Sequence, residues 1–441
     1  MAKAASQSGF LIFVIILTSC GGGGGSSGND TPTAPPVPDV TIGYSHIFTY
    51  GQSLSTGAFS LPIISTFQPY NNLMFSEGVL ASLIPDGSSP DALLPLVESD
   101  AIRILHGETP TAGTANYLVE LIELENNILS QNQKFAYIGS APGRGGSPIS
   151  SLNRGTTRWK IMMNQVTAAM ILTNDDDMTY DVKAMTWSQG ESDYLWKTSR
   201  TTYAELLLQM HDDFNTDVSA ITNQAKNPIL VSNQLAAHRR YEQDSPYIAL
   251  AIKDAADTNS NIYLSTPMYH LEYADDNLHL TADGSLMLGK YYGRVLKTVL
   301  HDNIQWLPLQ PTAVTWTGQF IDVTLHVPYG PLVIDDSVVA EAPNYGFDIW
   351  DENNSSVLDI IESVTVISDN RIRIQLNSMP QSKAKLTYAR GRIGDPNVAN
   401  NREGPRGNIR DSHGDIHQYF GSDGLIRRLD NYLVIFESVK P

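Results

Sequence analysis

Ten segments between residues 44 and 303 alternate strand-like apolar runs with amphipathic helical ones, and this alternation restricts the fold more than any other feature of the chain. Residues 46–52, 135–141, 180–190, 227–235 and 261–268 are rich in β-branched and aromatic side chains and read as strands. Residues 114–131, 157–174, 201–221, 245–258 and 281–303 carry apolar residues at helical spacing. Two strands that run the same way in one sheet need a crossover, and a helix is the usual one. The pattern therefore predicts an α/β domain over 42–303, a five-stranded parallel sheet with helices on both faces. Residues 58–113 break the rhythm; they are long and proline-bearing, and read as an insertion covering one edge of the site.

Near residue 304 the texture changes. Segments 320–327, 363–368, 371–376 and 384–391 alternate apolar and polar residues at period two. The expectation is a smaller all-β, sandwich-like domain over 304–441, joined through the proline-bearing junction Leu307–Val314. Its cluster at 402–415 mixes arginines and acids and reads as a salt-bridged loop.

The amino terminus has a different character. Phe10–Cys20 is an apolar run preceded by Lys3, too short for a bilayer span of about 20 residues but of the length of a secretory signal core. Leu17–Thr18–Ser19–Cys20 resembles the lipobox of bacterial lipoproteins, which implies a signal peptide over 1–19, cleavage before Cys20 and lipid attachment there. Residues 20–41 then form a Gly/Ser/Pro tether. The location implied is the bacterial cell envelope, the membrane being a partner through the anchor alone; Gly21 points to the outer membrane. Cys20 is the only cysteine, so no internal disulfide forms. The net charge of −18 repels phosphate backbones and argues against nucleic acid as a partner.

In parallel α/β sheets, reacting groups gather at the carboxyl ends of the strands. The first strand ends in Thr49–Gly57, TYGQSLSTG, which places Ser53 at such an end. A serine nucleophile needs a base, an acid to orient that base, and donors for the oxyanion. His279 in ADDNLHLTADG is the candidate base, with Asp276 three residues earlier in the same loop to accept its Nδ1 proton. Thr281 then caps the last helix, with Asp283 in its first turn. His270 is the runner-up. Gly145 and Gly146 after the second strand could offer a backbone N–H, and Gln189 after the third a side-chain amide.

The blocks Gly51–Gln52–Ser53, Gly145–Gly146–Ser147, Trp187–Ser188–Gln189–Gly190–Glu191–Ser192–Asp193 and Asp276–Asn277–Leu278–His279 fall in this order. The set resembles the SGNH (GDSL-like) hydrolase superfamily, with its flavodoxin-like fold, and within it the sialate O-acetylesterase-like and acetylxylan-esterase-like carbohydrate esterases. The resemblance implies Ser53 as nucleophile, His279 as base and Asp276 as orienting acid. It implies an oxyanion hole of the Ser53 amide, Gly146 in preference to Gly145, and Gln189. Glu191 would organise the loop or touch substrate. The substrate would be acetylated carbohydrate, with no metal or organic cofactor. Two positions depart from the branch: Leu54 stands where asparagine is common, and Ser188 where histidine or an aromatic residue is common. The rival expectations are a general carboxylesterase or lipase, which the apolar Leu54 favours, and a non-enzymatic glycan-binding surface lipoprotein.

Overall fold

The computed structural model describes residues 43–81, 90–100, 105–127, 129–130, 135–174 and 178–441. The signal peptide and tether expected at 1–41, with Cys20, lie outside these residues. Among the described residues, no helix is long and apolar enough to cross a membrane.

Strand β1 (Gly43–Gly51) is followed by two short strands from the 58–113 segment, β2 (Leu73–Phe75) and β3 (Leu93–Pro95). Helix α1 (Pro110–Asn126), β4 (Phe135–Ser140), α2 (Thr157–Thr173) and β5 (Thr179–Ser188) come next. Then follow α3 (Glu191–Leu195), α4 (Arg200–Thr222), β6 (Ile229–Gln234), α5 (Tyr247–Thr258), β7 (Ile262–Pro267) and α6 (Ala282–Leu296). The five expected strands pair in parallel in the order β4-β1-β5-β6-β7. This is the flavodoxin-like order, whose crevice lies where the strand order reverses, between β1 and β5. β2 adds to β4 in parallel and β3 adds antiparallel, so the sheet has seven strands rather than five. Both additions are three residues long, too short for alternation to show in sequence.

Every residue of β6 and β7 is buried, as expected for strands covered on both faces. Along β1, Phe48 meets Phe214 of α4 while Thr49 bonds Thr111 of α1, so neighbouring residues face opposite helical layers. α1 and α6 pack so closely that a Cβ on Gly289 would lie 2.2 Å from the Pro110 carbonyl oxygen. α1, α2, α4 and α6 each begin on a Ser or Thr cap. α1 starts at Pro110, before the apolar periodicity begins, because Thr109 caps it and Pro110 suits the first helical turn.

The remainder is antiparallel. It contains β8 (Gln310–Thr317), β9 (Phe320–His326), β10 (Val333–Ile334), β11 (Phe347–Trp350), β12 (Val357–Leu358) and β13 (Ile361–Ser368). β14 (Arg371–Leu376), β15 (Lys385–Tyr388), β16 (Ile409–Arg410), β17 (Gln418–Phe420), β18 (Ile426–Arg428) and β19 (Phe436–Val439) complete it. Two four-stranded sheets form, β13-β14-β9-β8 and β12-β11-β15-β19, with two small pairs, β10-β16 and β17-β18. The described residues make one compact unit. Segment 429–436 seats against α6 and the end of β6. Arg294 donates to Leu429 O (2.6 Å) and Asn431 Oδ1 (2.9 Å), Tyr291 to Asp430 O (2.6 Å), and Gln234 exchanges two bonds with Ile435. In the 402–415 loop, Arg410 pairs with Asp335 at 2.6 Å and Arg406 donates to Ala340 O at 2.8 Å.

Candidate active site

β1 and β5 run together to their carboxyl ends, where a Cβ on Gly51 would fall 2.1 Å from Ser188 O. Only glycine fits there, and its φ of 143° suits no other residue well. Gln52 N donates to Ser188 O (3.0 Å), after which the chain leaves the sheet in a short helical turn, Ser53–Thr56, closed by Gly57 at φ 67°. Ser53 is the first residue of that turn, so its N–H has no acceptor within it. Leu54 is 2% exposed and belongs to the core rather than to the mouth of the site.

After β7 the chain folds back on itself through a bridge between Tyr273 and Leu280. Ala274 N donates to His279 O (2.7 Å), and Asn277 turns the corner at φ 56°. Asp276 Oδ1 accepts the N–H groups of Leu278 (3.1 Å) and His279 (2.9 Å). Its other oxygen meets His279 Nδ1 at 2.5 Å, and His279 Nε2 lies 2.8 Å from Ser53 Oγ. Burial pulls the Asp276 carboxyl up, but the bonds from His279 and the two backbone N–H groups outweigh it and hold the group down to about 2. Thr281 Oγ1 accepts from Gly284 N (3.1 Å), which starts α6 immediately after the base. Serine, imidazole and carboxylate, 226 residues apart at the extremes, form one hydrogen-bonded chain. His270 lies elsewhere: it is buried, stacked on Tyr432, bonded to Thr266, and held neutral by burial and by Arg294, at about 3.

Gly145 lies against Ser53, since a Cβ on it would be 3.7 Å from Ser53 Cβ. Gly146 follows at φ 68° with open space around it, and Arg144 N ties the loop to Gly51 O (3.0 Å). Gln189 is 1% exposed. Its Oε1 accepts from Tyr203 (2.8 Å), while its amide N–H groups reach Asp193 Oδ2 (2.5 Å), Ser147 O (3.0 Å) and Gln52 Oε1 (3.3 Å). It thus sits between the serine turn and the glycine loop with its donors committed inside the protein.

Three residues that the sequence reading did not assign a role complete the surroundings. Asp193 binds Gln189, Thr198 Oγ1 (2.6 Å) and Ile149 N (2.9 Å), which joins the third block to the glycine loop; burial raises its pKa against those bonds. Gln52 accepts from Ser192 N (3.0 Å), linking the serine turn to the start of α3. Both stand inside the motifs, Gln52 next to Ser53 and Asp193 four residues after Gln189. Phe59, at φ 64°, stacks on His279 with ring centres 4.9 Å apart and is 43% exposed. It belongs to the 58–113 segment, which here does flank the site.

Glu191, at the first position of α3, is 2% exposed, and its Oε2 has no hydrogen-bond partner. Burial pushes its carboxyl up to about 7; its own backbone N–H and the charge of His279 pull it down, and Asp193 pushes it up. It therefore lies within the electrostatic reach of the base.

A cavity of about 320 Å³ opens at the opposite, amino ends of the strands, among Ser45, Asp181, Lys183, Tyr263 and His301. Ser45 there bonds Asp181 and no imidazole, so this cavity lacks the serine–imidazole pair that stands at the carboxyl ends of the strands. Among the described residues, Glu125, His301 and Asp302 come close enough to suggest a cation site. Lys297 already bridges the two acids, at 2.6 and 2.8 Å.

Residues 124–298 match the sequence profile described as carbohydrate esterase, sialic acid-specific acetylesterase. The match spans the glycine loop, the third block and the Asp276–His279 loop, while Ser53 enters through the fold. No curated protein matches the sequence. Among solved structures, the chain shares its fold with XAC1771, a carbohydrate acetylesterase from Xanthomonas citri, at 12% identity and TM-score 0.53, over 90% of this chain and 80% of that one. An Arabidopsis thaliana protein covers 57% of this chain and 96% of its own, at 17% identity and TM-score 0.41.

Proposed function

We propose that this chain, whose residues 124–298 resemble the sialic acid-specific acetylesterases among carbohydrate esterases, removes O-acetyl groups from carbohydrate through an acetyl-serine intermediate. The observation that carries this reading is the unbroken path from Asp276 through His279 to Ser53 Oγ.

In the proposed reaction, Ser53 Oγ attacks the acetyl carbonyl as His279 Nε2 takes its proton. Asp276 keeps the imidazole in the tautomer that accepts at Nε2 and stabilises the cation that forms. The negative oxygen of the tetrahedral intermediate is held by the Ser53 N–H, a backbone N–H of the Gly145–Gly146 loop and the Gln189 amide. Gln189 would release its weakest acceptor, Gln52 Oε1 at 3.3 Å, to do so. His279 then protonates the departing sugar oxygen, and the acetyl group stays on Ser53. Water, deprotonated by the same nitrogen, attacks the acetyl-serine; the bond to Ser53 Oγ breaks, His279 returns the proton to that oxygen, and acetate leaves. Every step is proton transfer or acyl transfer among these groups.

The lipase reading loses its main support, because Leu54 points into the core. We further propose that Cys20 carries the lipid, with residues 21–41 spacing the enzyme from a bacterial envelope membrane. Kinetics on acetate, butyrate and hexanoate esters of one chromogenic alcohol, and on O-acetylated sialosides and xylan, test the reading. It predicts fastest turnover of acetate, release of acetate from a sugar, and an acetylated Ser53 peptide after rapid quenching. Faster turnover of the longer chains, with every sugar ester untouched, would contradict it.

A further inference from the structure

We infer that the carboxyl-terminal β region is part of the catalytic apparatus, with Asn400 as the residue that positions the loop bearing Asp276 and His279. The inference rests on the esterase reading above.

The stretch from Glu272 to Asp283 holds both the acid and the base, and it is gripped at three places by residues more than 100 positions later. Arg427, in β18, forms an ion pair with Glu272 at 2.5 Å. Ser422, between β17 and β18, donates its N–H to Asp283 Oδ1 at 2.9 Å and its hydroxyl to Asp283 Oδ2. The third grip is on the corner between acid and base: Ala399 N donates to Asn277 O (2.9 Å) and Asn400 Nδ2 to Asn277 Oδ1 (2.7 Å).

The direction of the Asn400 amide is fixed by its own loop. Its Oδ1 accepts from the backbone N–H groups of Arg402 (2.9 Å), Glu403 (2.7 Å) and Gly404 (3.3 Å). A flipped amide would set its NH₂ against those three donors, so Nδ2 has to point at Asn277. Gly404 closes the turn tightly, with a would-be Cβ 2.7 Å from Asn400 N. Asn277 in turn sits at φ 56°, a conformation asparagine tolerates, and adjoins Asp276, whose Oδ1 binds the two following N–H groups. A bond that pins residue 277 therefore pins the carboxylate beside it and the ring two residues on. A short turn exposed to water and held only by its own bonds would sample other arrangements, and misplacement by about 1 Å can cost about 100-fold in rate. The β region thus holds the Asp276–His279–Ser53 alignment ready before substrate arrives.

The test uses the full chain and a chromogenic acetate ester, with unfolding midpoints measured in parallel. Asn277→Gly keeps the left-handed corner and the bond from Ala399 but removes the acceptor for Asn400; Asn277→Asp keeps that acceptor. Asn400→Ala removes the donor. The inference predicts that Asn277→Gly and Asn400→Ala each lower kcat about tenfold with KM within twofold. The double variant should be no slower than the slower single, and Asn277→Asp should stay within twofold of wild type. If Asn400→Ala does not fold, Asn277→Gly and Asn277→Asp decide between themselves. Folded Asn277→Gly with wild-type kcat overturns the inference, as does a raised KM at constant kcat, which would make the corner a substrate contact. Either result leaves the esterase reading standing, because the wild type turns over in the same assay. A silent wild type removes both.

Discussion

Glu191→Gln separates the electrostatics of the site from its chemistry. The Glu191 carboxyl is enclosed, has an oxygen with no partner, and titrates at about 7 in the folded protein against 4.5 in an unfolded chain. Between those values the folded state binds the proton and the unfolded state does not, so wild-type stability falls as pH rises through that window. Below it both states are neutral at this position, and above it both are charged, so the cost is complete and constant. At about 1.4 kcal/mol per pH unit, the gap amounts to about 3 kcal/mol. Glutamine has nearly the same shape and no charge to bury. Urea unfolding of wild type and variant at pH 5, 6, 7 and 8 reads the difference directly. The variant should gain about 2–3 kcal/mol on the wild type between pH 5 and 8, most of it below pH 7. A stability difference that stays flat across this range would refute the claim that burial dominates at Glu191.

Other substitutions probe the parts singly. Asp276→Asn keeps the shape but favours the wrong imidazole tautomer, and should lower kcat by about 10²–10⁴-fold with little change in KM; steady-state kinetics checks it. Gln189→Ala should cost about 10²–10³-fold in kcat if the amide serves the oxyanion, and an unchanged kcat would remove it from that role. Phe59→Ala takes away the ring stacked on His279, and a loss of about 3- to 10-fold in kcat/KM is expected on acetate esters.

The parallel core of the fold was legible because strands such as β6 and β7 are buried on both faces and helices such as α2 and α4 on one, so each element writes its own periodicity. β2 and β3 were not, since a three-residue strand has no period to read. Within the site, Ser53, Asp276 and His279 were legible because each falls at a strand end or in a turn with short-range logic. The Asp276–His279 bond spans three residues, and the caps beside it are local. Gln52, Asp193 and Asn400 act through bonds to residues 140, 44 and 123 positions away, and nothing local distinguishes them. Phe59 reads as an ordinary apolar residue in an irregular stretch; only its stacking on His279 in the folded chain brings it to the site. Leu54 misled in the opposite direction, because a residue next to a nucleophile need not face the substrate.

The most direct test of the account is acetate release from an O-acetylated sugar by the wild-type chain beside folded Ser53→Ala. The account predicts steady release by the wild type and none above background by the variant, at equal unfolding midpoints. Equal release by the two proteins would mean that Ser53 is not the nucleophile, and the mechanism built on it would fall.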